Sequence, residues 1–403
     1  MNILMISYWD FQQHGMQATL RTPMYFAQRG HKVTFLVHSE NTQYPAALQD
    51  IHPNLEIIRY SLPLKWLGRI HKVNRLRQLL LFSASCLSDV LGRYHQGWRP
   101  DVIYAAECDA ILVGLLLRYL TDAPLITRYY GISTQLLSHP LKHWAYALSL
   151  RCPTDMAIVT DDGTDGAAIM KRINPWARDV VFLRNGVDSP VVDPGEVTRL
   201  RRKCGISDGD LVLLTVSRLY SWKRVERAVR AVAQVKCNGA MRVKLLVVGH
   251  GPEETRLKLL AKECGVGSNV AFVGAVAHAD IYNVYAASDI LLSLYDMSNV
   301  GNPLWEAMNA GKCIVTLDAG NTREVIEDGV NGRIIQVSVE DDILICAIAD
   351  AITELIEKPS LRKRLAEGAK AYASKHLMTW EQRLQAELDA ILKLGKRRDC
   401  GVL

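Results

Sequence analysis

The 403-residue sequence has no C-x-x-C pair. Its nine cysteines (Cys86, Cys108, Cys152, Cys204, Cys237, Cys264, Cys313, Cys346 and Cys400) are dispersed and odd in number. Scattered thiols argue against a disulfide framework and suit a reducing compartment, and a structural zinc site would need clustered ligands. Long apolar runs are missing too. The longest, Ala110 to Leu117, stops at Arg118, short of the ~20 residues that a membrane helix needs. The apolar start Met1 to Ile6 lacks a basic leader and soon meets Asp10, so it reads as a strand and not as a signal peptide. No internal repeat of solenoid length recurs.

A strong charge imbalance is also lacking. Forty-eight Lys and Arg against 42 Asp and Glu leave a net charge of +6. That surplus is too small to argue for nucleic acid, and no recognised nucleic-acid motif accompanies it. Its distribution is uneven. Between Arg59 and Arg99 there are eight basic residues (Arg59, Lys65, Arg69, Lys72, Arg75, Arg77, Arg93, Arg99) against one acid, Asp89.

What is present is an ordinary globular composition, 49% hydrophobic and 22% charged, at a length that suggests two or three domains. Short β-branched runs alternate with amphipathic stretches of helix length, the pattern of doubly wound α/β domains. Asn2 to Ile6, Lys32 to Val37, Asp101 to Tyr104, Leu125 to Thr127 and Met156 to Val159 read as strands of a first domain spanning residues 1–190. A helix from Gly15 to Arg29 lies between the first two. Asp193-Pro194-Gly195 signals a linker. A second Rossmann-like domain, 195–375, follows, with strands at Leu211 to Val216, Lys244 to Val248, Val270 to Val273, Ile290 to Leu292 and Cys313 to Thr316. Ser374 to Lys396 reads as a closing helix, so residues 376–403 form a crossover helix and basic tail. The fold class is therefore α/β, with two Rossmann-like domains and ligands expected in a cleft outside the carboxyl ends of their sheets.

The second domain holds the residues that carry chemistry. Arg218 and Lys223 lie five residues apart between a strand and a helix, where a planar fork and a mobile point charge can close on a diphosphate; an ordinary solvated basic loop would look the same. Gly249 and Gly251, in Gly249-His250-Gly251-Pro252, allow backbone to approach a flat ligand. Further on, Ser298 precedes Gly301-Asn302-Pro303-Leu304, a helix start whose N–H groups can hold an anion. Glu306 lies within that helix, where a carboxylate can accept from a ribose diol; a buried structural helix is the plainer alternative.

In this order Arg218…Lys223, Gly249-x-Gly-Pro, Gly301 and Glu306-Ala-Met-x-Ala-Gly311 resemble glycosyltransferase family 4 (glycosyltransferase group 1), retaining enzymes of the GT-B fold. Further matches are the loop at Gly15, Gln28 to Val33, the turn Arg184 to Asp188, Asn321 to Ile326 and Asp328 to Gly332. The resemblance implies that Arg218 and Lys223 bind the donor diphosphate and are catalytic. It implies that Glu306 binds the donor ribose and that Gly15 lies by the phosphates. Gly249, Gly251, Ser298, Gly301, Asn302, Pro303 and Leu304 complete the implied donor set, and His14 and Tyr130 are the acceptor-side candidates.

Two positions depart from the family pattern. The first acid of the family's E-x(7)-E motif is replaced by Ser298, with Asp296 and Asn302 nearby but unaligned, and Tyr130 stands where a histidine is common. A phenol is a poor base at neutral pH. In this family the leaving diphosphate is thought to help deprotonate the acceptor, which would leave Arg218 and Lys223 to stabilise charge on the leaving group. No cofactor is implied, and with no D-x-D pair in a plausible donor loop, neither is a metal.

The expected activity is retaining transfer from a UDP- or GDP-sugar to a glycan or lipid-linked acceptor in cell-envelope polysaccharide or glycolipid synthesis. A GT-B nucleotide-sugar epimerase and a nucleotide-sugar-binding protein without turnover are the alternatives. Leu62 to Ser83 interleaves Trp66, Leu67, Ile70 and Val73 with Lys65, Arg69, Lys72 and Arg75. Such a stretch suits either an anionic membrane surface or a packed helix with a solvated basic face. The expected location is cytoplasmic, with peripheral contact on the inner face of the membrane.

Overall fold

The computed structural model describes residues 1–8, 17–38, 51–61, 71–140, 143–189, 191–237, 239 and 242–399. The chain divides into two compact units. One comprises Met1–Asp161, Asp165–Asn185 and Glu381–Leu403; the other comprises Asp162–Thr164 and Gly186–Trp380.

In the first unit β1 (Asn2–Ser7), β2 (Lys32–His38), β3 (Leu55–Tyr60), β4 (Val102–Ala106), β5 (Leu125–Tyr129), β6 (Thr154–Thr160) and β7 (Ala177–Leu183) form one parallel sheet. Its order is β3-β2-β1-β4-β5-β6-β7. The inner strands are apolar nearly throughout because helices cover both faces, as parallel sheets require. β3 and β7, at the edges, are only partly buried and carry Glu56, Arg59, Arg178 and Asp179. They extend the five strands expected from the sequence to seven.

The second unit contains β8 (Leu211–Val216), β9 (Val243–Val248), β10 (Val270–Gly274), β11 (Ile290–Ser293), β12 (Cys313–Leu317) and the short β13 (Arg333–Ile335), in the order β10-β9-β8-β11-β12-β13. Successive residues feed opposite cores. Leu213, Leu245, Leu292 and Val315 meet the helices Val225–Cys237 and Asp341–Glu357 on one face. Val212, Leu214, Leu246 and Ile314 meet Leu304, Trp305, Ala307 and Met308 of the helix Asn302–Asn309 on the other. In both units the strand order reverses beside the first strand of the unit, at β1/β4 and at β8/β11. Crevices at such reversals are where open α/β sheets bind ligands.

The closing helix is not continuous from Ser374. One helix, Pro359–His376, ends before Leu377, whose backbone is extended, and another runs from Trp380 to Asp399. The break has a backbone cause: the Met378 carbonyl accepts the Val187 N–H at 2.9 Å, and the Trp380 N–H donates to the Asp188 carboxylate at 3.1 Å. Gly186 makes this approach possible, since a Cβ there would sit 2.4 Å from the Trp380 Cα. From Glu381 onward the last helix belongs to the first unit. Its Arg383 and Glu387 are fully buried and paired with each other, and Tyr104 of β4 donates to Glu387.

Candidate functional site

The two chain segments that leave the β8/β11 reversal build one site. After β8, Ser217–Tyr220 leads into the 3-10 turn Ser221–Lys223 and then the helix Val225–Cys237. After β11 the chain passes through Tyr295 to the helix Asn302–Asn309. The Tyr295 hydroxyl donates to the Val216 carbonyl at 2.9 Å, and the buried Asn299 accepts the Tyr295 N–H at 2.8 Å. This loop is thereby fixed against the end of β8.

Lys223 lies in a slot between two aromatic rings, its Nζ 3.8 Å from the Tyr295 ring centre and 4.1 Å from that of Trp222. The π faces attract the ammonium but supply no counter-charge. Burial, reinforced by the like charge of Arg218 and only partly opposed by Asp162, pulls the lysine pKa down to about 7. Arg218 itself is exposed, with its guanidinium 5.5 Å from the Tyr220 ring. The site thus holds one exposed cation and one half-buried, poorly compensated cation, an arrangement complementary to a doubly charged anion.

Gly249 and Gly251 serve this loop from below. Gly249 adopts φ +125° and a Cβ on it would sit 1.8 Å from the Ser217 carbonyl oxygen; on Gly251, at φ +159°, a Cβ would sit 2.5 Å from that of Leu219. What they let close in is backbone: the Leu219 N–H donates to the His250 carbonyl at 2.9 Å, and the Leu219 carbonyl accepts the Glu253 N–H at 3.1 Å. The glycines therefore shape the seat of Arg218.

Gly301 caps the helix Asn302–Asn309, with Asn302, Pro303 and Leu304 in its first turn. Glu306 is 8% exposed. Its Oε2 accepts the Tyr285 hydroxyl at 2.9 Å, and the Nδ1 of His278 lies 3.9 Å from its Oε1. Burial pushes its pKa up to about 7, against the Tyr285 hydrogen bond. Ser298 is engaged locally: its hydroxyl donates to the Asp162 carbonyl at 2.8 Å and accepts the Val300 N–H at 3.2 Å. Asp296 is ion-paired with Arg227 at 2.8 Å.

In the first unit, Glu107 follows β4 at the β1/β4 reversal with φ +63°, a conformation that costs an L residue about 1–3 kcal/mol. Its Oε1 accepts the Tyr130 N–H at 2.8 Å. Burial pushes its pKa up to about 7, opposed by that hydrogen bond and by Arg128. The Arg128 guanidinium is fully buried, bonded to the Tyr129 carbonyl and the Thr160 hydroxyl at 2.7 Å each, and lies 4.8 Å from the Tyr130 ring. His14 and Gly15 lie outside the described residues.

Residues 196–372 match the family model for glycosyl transferases group 1. The second unit is a group 1 glycosyltransferase domain. Over 193 residues the chain is 28% identical to N-acetyl-alpha-D-glucosaminyl L-malate synthase of Bacillus anthracis, covering 48% of each chain. It spans about half the length of the curated relatives it matches. Two solved structures match the whole chain in fold. Anabaena HepE in complex with UDP and glucose aligns at TM-score 0.73 and 21% identity, covering 98% of this chain and 99% of that one. WaaG, a glycosyltransferase involved in lipopolysaccharide biosynthesis, aligns at TM-score 0.71 and 20% identity, covering 96% and 99%. The fold is GT-B.

Within the group 1 domain, Arg218, Lys223, Gly249, Gly251, Ser298, Gly301, Asn302, Pro303, Leu304 and Glu306 all lie in the second unit. Sequence reading missed Tyr295 and Asn299, whose roles exist only once β11 lies beside β8. It missed Glu107 as well, although an acid just beyond a predicted strand was a visible signal. Among the described residues, no group of three or more His, Cys, Asp or Glu could hold a metal ion.

Lys223 is expected to titrate near pH 7, followed by NMR of isotopically methylated lysines. Arg218→Ala removes a neighbouring positive charge, so it should raise that midpoint; a wild-type midpoint near 10 would contradict the described slot.

Proposed function

We propose that the protein is a retaining glycosyltransferase. It moves a sugar from a UDP- or GDP-sugar to a glycan or lipid-linked acceptor in cell-envelope polysaccharide or glycolipid synthesis. The observation that carries this reading is the Lys223 slot beside Arg218 at the β8/β11 reversal. An anion there restores the lysine's proton and offsets the repulsion from Arg218. Gly301 and the helix start through Asn302, Pro303 and Leu304 would place N–H groups on the phosphates, with Glu306 accepting from the ribose diol. UDP and glucose in the similar HepE structure support a nucleotide-sugar donor.

In the reaction, the bond from the anomeric carbon to the diphosphate oxygen breaks and the acceptor oxygen bonds to that carbon on the same face. The acceptor proton passes to the departing diphosphate, whose developing charge Arg218 and Lys223 stabilise. Tyr130 and His14 would serve the acceptor side, close in sequence to the β5 and β1 ends.

A panel of UDP-, GDP- and ADP-sugars in thermal-shift assays should single out the donor, and added acceptor should release free nucleoside diphosphate. Arg218→Ala and Lys223→Ala should each weaken diphosphate binding by about 10- to 100-fold, the range for a charge-assisted hydrogen bond. Unchanged affinity in both would remove the site.

The acceptor side of this reading is a cytoplasmic membrane face. Among the described residues no helix is long and apolar enough to cross a membrane. Residues 62–70 of the basic stretch lie outside the described set; the helix His71–His95 continues it and exposes Leu76 and Leu80. Changing Lys65, Arg69, Lys72 and Arg75 to Glu should abolish sedimentation with anionic vesicles. Persistent sedimentation would place the contact elsewhere.

A further inference from the structure

The acid pair Asp341-Asp342 reads from sequence as a plain helix start, yet Asp341 is where two arginines converge, Arg224 at the end of the Lys223 turn and Arg227 in the helix that follows it. The helix Asp341–Glu357 packs along the helix Val225–Cys237. Asp341 Oδ2 takes the Arg224 Nη2, while its Oδ1 takes the Arg227 Nη2 at 3.0 Å and Nε at 3.3 Å.

Each arginine fixes one wall of the Lys223 slot. Arg224 directly follows the lysine and closes its 3-10 turn, donating its N–H to the Ser221 carbonyl at 3.0 Å. It does so at φ +49°, a region that residues with side chains resist. Ion pairs with Asp341, with Glu226 at 3.1 Å and with Asp296 at 3.7 Å hold it there. Arg227 reaches the opposite wall. It donates to the Leu294 carbonyl at 3.0 Å and pairs with Asp296 at 2.8 Å, gripping the residues on either side of Tyr295. Trp222 and Lys223 therefore hang from Arg224, and Tyr295 hangs from Arg227.

We infer that Asp341 is a positioning residue for the donor diphosphate: through Arg224 and Arg227 it keeps the two walls of the Lys223 slot in register. The inference rests on the reading of Arg218 and Lys223 as the diphosphate ligands. An isolated half-exposed ion pair would contribute little. Here one carboxylate orients two guanidinium groups with fixed donor geometry, so its value lies in alignment. An acid in the first turn also favours its own helix, and the test must separate that structural role from the positioning one.

The discriminating experiment is a double-mutant cycle on nucleotide binding by calorimetry, with UDP and, in parallel, GDP as probes. Asp341→Asn should weaken binding about tenfold in the wild-type background and less than about twofold in the Lys223→Ala background, because its effect passes through that lysine. Arg224→Gly, which accepts the left-handed turn but lacks the guanidinium, should match Asp341→Asn and serves as the probe if the latter misfolds. Unchanged affinity in both variants, or an equal loss with and without Lys223, would overturn the inference. A Lys223→Ala protein that binds both nucleotides like wild type would instead remove the diphosphate reading itself.

Discussion

Arg218 and Lys223 repel each other, and Lys223 is half-buried between aromatic rings that carry no formal charge. Burying a cation without a counter-ion is unfavourable, and proteins relieve that cost by losing the proton or by recruiting an anion. Much of the surrounding structure maintains this unfavourable arrangement. Tyr295 is tied to the end of β8, Gly249 and Gly251 bring backbone under Arg218, and Arg224 and Arg227 brace the loops from the side. In the proposed reaction, a site held in this way would stabilise the leaving diphosphate without having to reorganise as charge develops.

The fold supplies the location. A parallel sheet that reverses its order beside its first strand leaves a crevice between two diverging loops, and in the second unit those are the Lys223 and Tyr295 loops. The first unit repeats the plan with different chemistry. At its reversal stands a strained acid, Glu107, bonded to the Tyr130 N–H above a buried arginine. Beside Tyr130, which the resemblance to family 4 sets where a histidine is common, the titratable group is a carboxyl, that of Glu107, whose pKa burial raises to about 7.

Much of this was legible in the sequence, for identifiable reasons. Inner strands such as Leu211 to Val216 are buried on both faces, so their continuous apolar runs stand out. β3, β7 and β13 escaped because edge or short strands are half-solvated and mix charge with apolar residues. Arg218 and Lys223 were visible as charged residues at a strand–helix junction, and Glu306 as a carboxylate inside a short helix. Gly249 and Gly251 were legible as places of close approach, and the structure shows such an approach to the backbone of Ser217 and Leu219. Ser298, which replaces the first acid of the family motif, donates its hydroxyl to the Asp162 carbonyl, in a segment more than a hundred residues away, and accepts the Val300 N–H. Asp341 does start the helix Asp341–Glu357, but its arginine partners lie in another segment of the chain, so its pairing was not legible.

The central claim is that Lys223 lies at the diphosphate of the donor, and chemical footprinting tests it most directly. At pH 8 a lysine with its pKa near 7 is mostly neutral and nucleophilic, so a water-soluble acylating reagent should modify it ahead of ordinary surface lysines. Saturating nucleoside diphosphate should suppress that modification, read by mass spectrometry, while surface lysines such as Lys363 remain unaffected. Rapid labelling of Lys223 that UDP and GDP both leave unchanged would contradict the account.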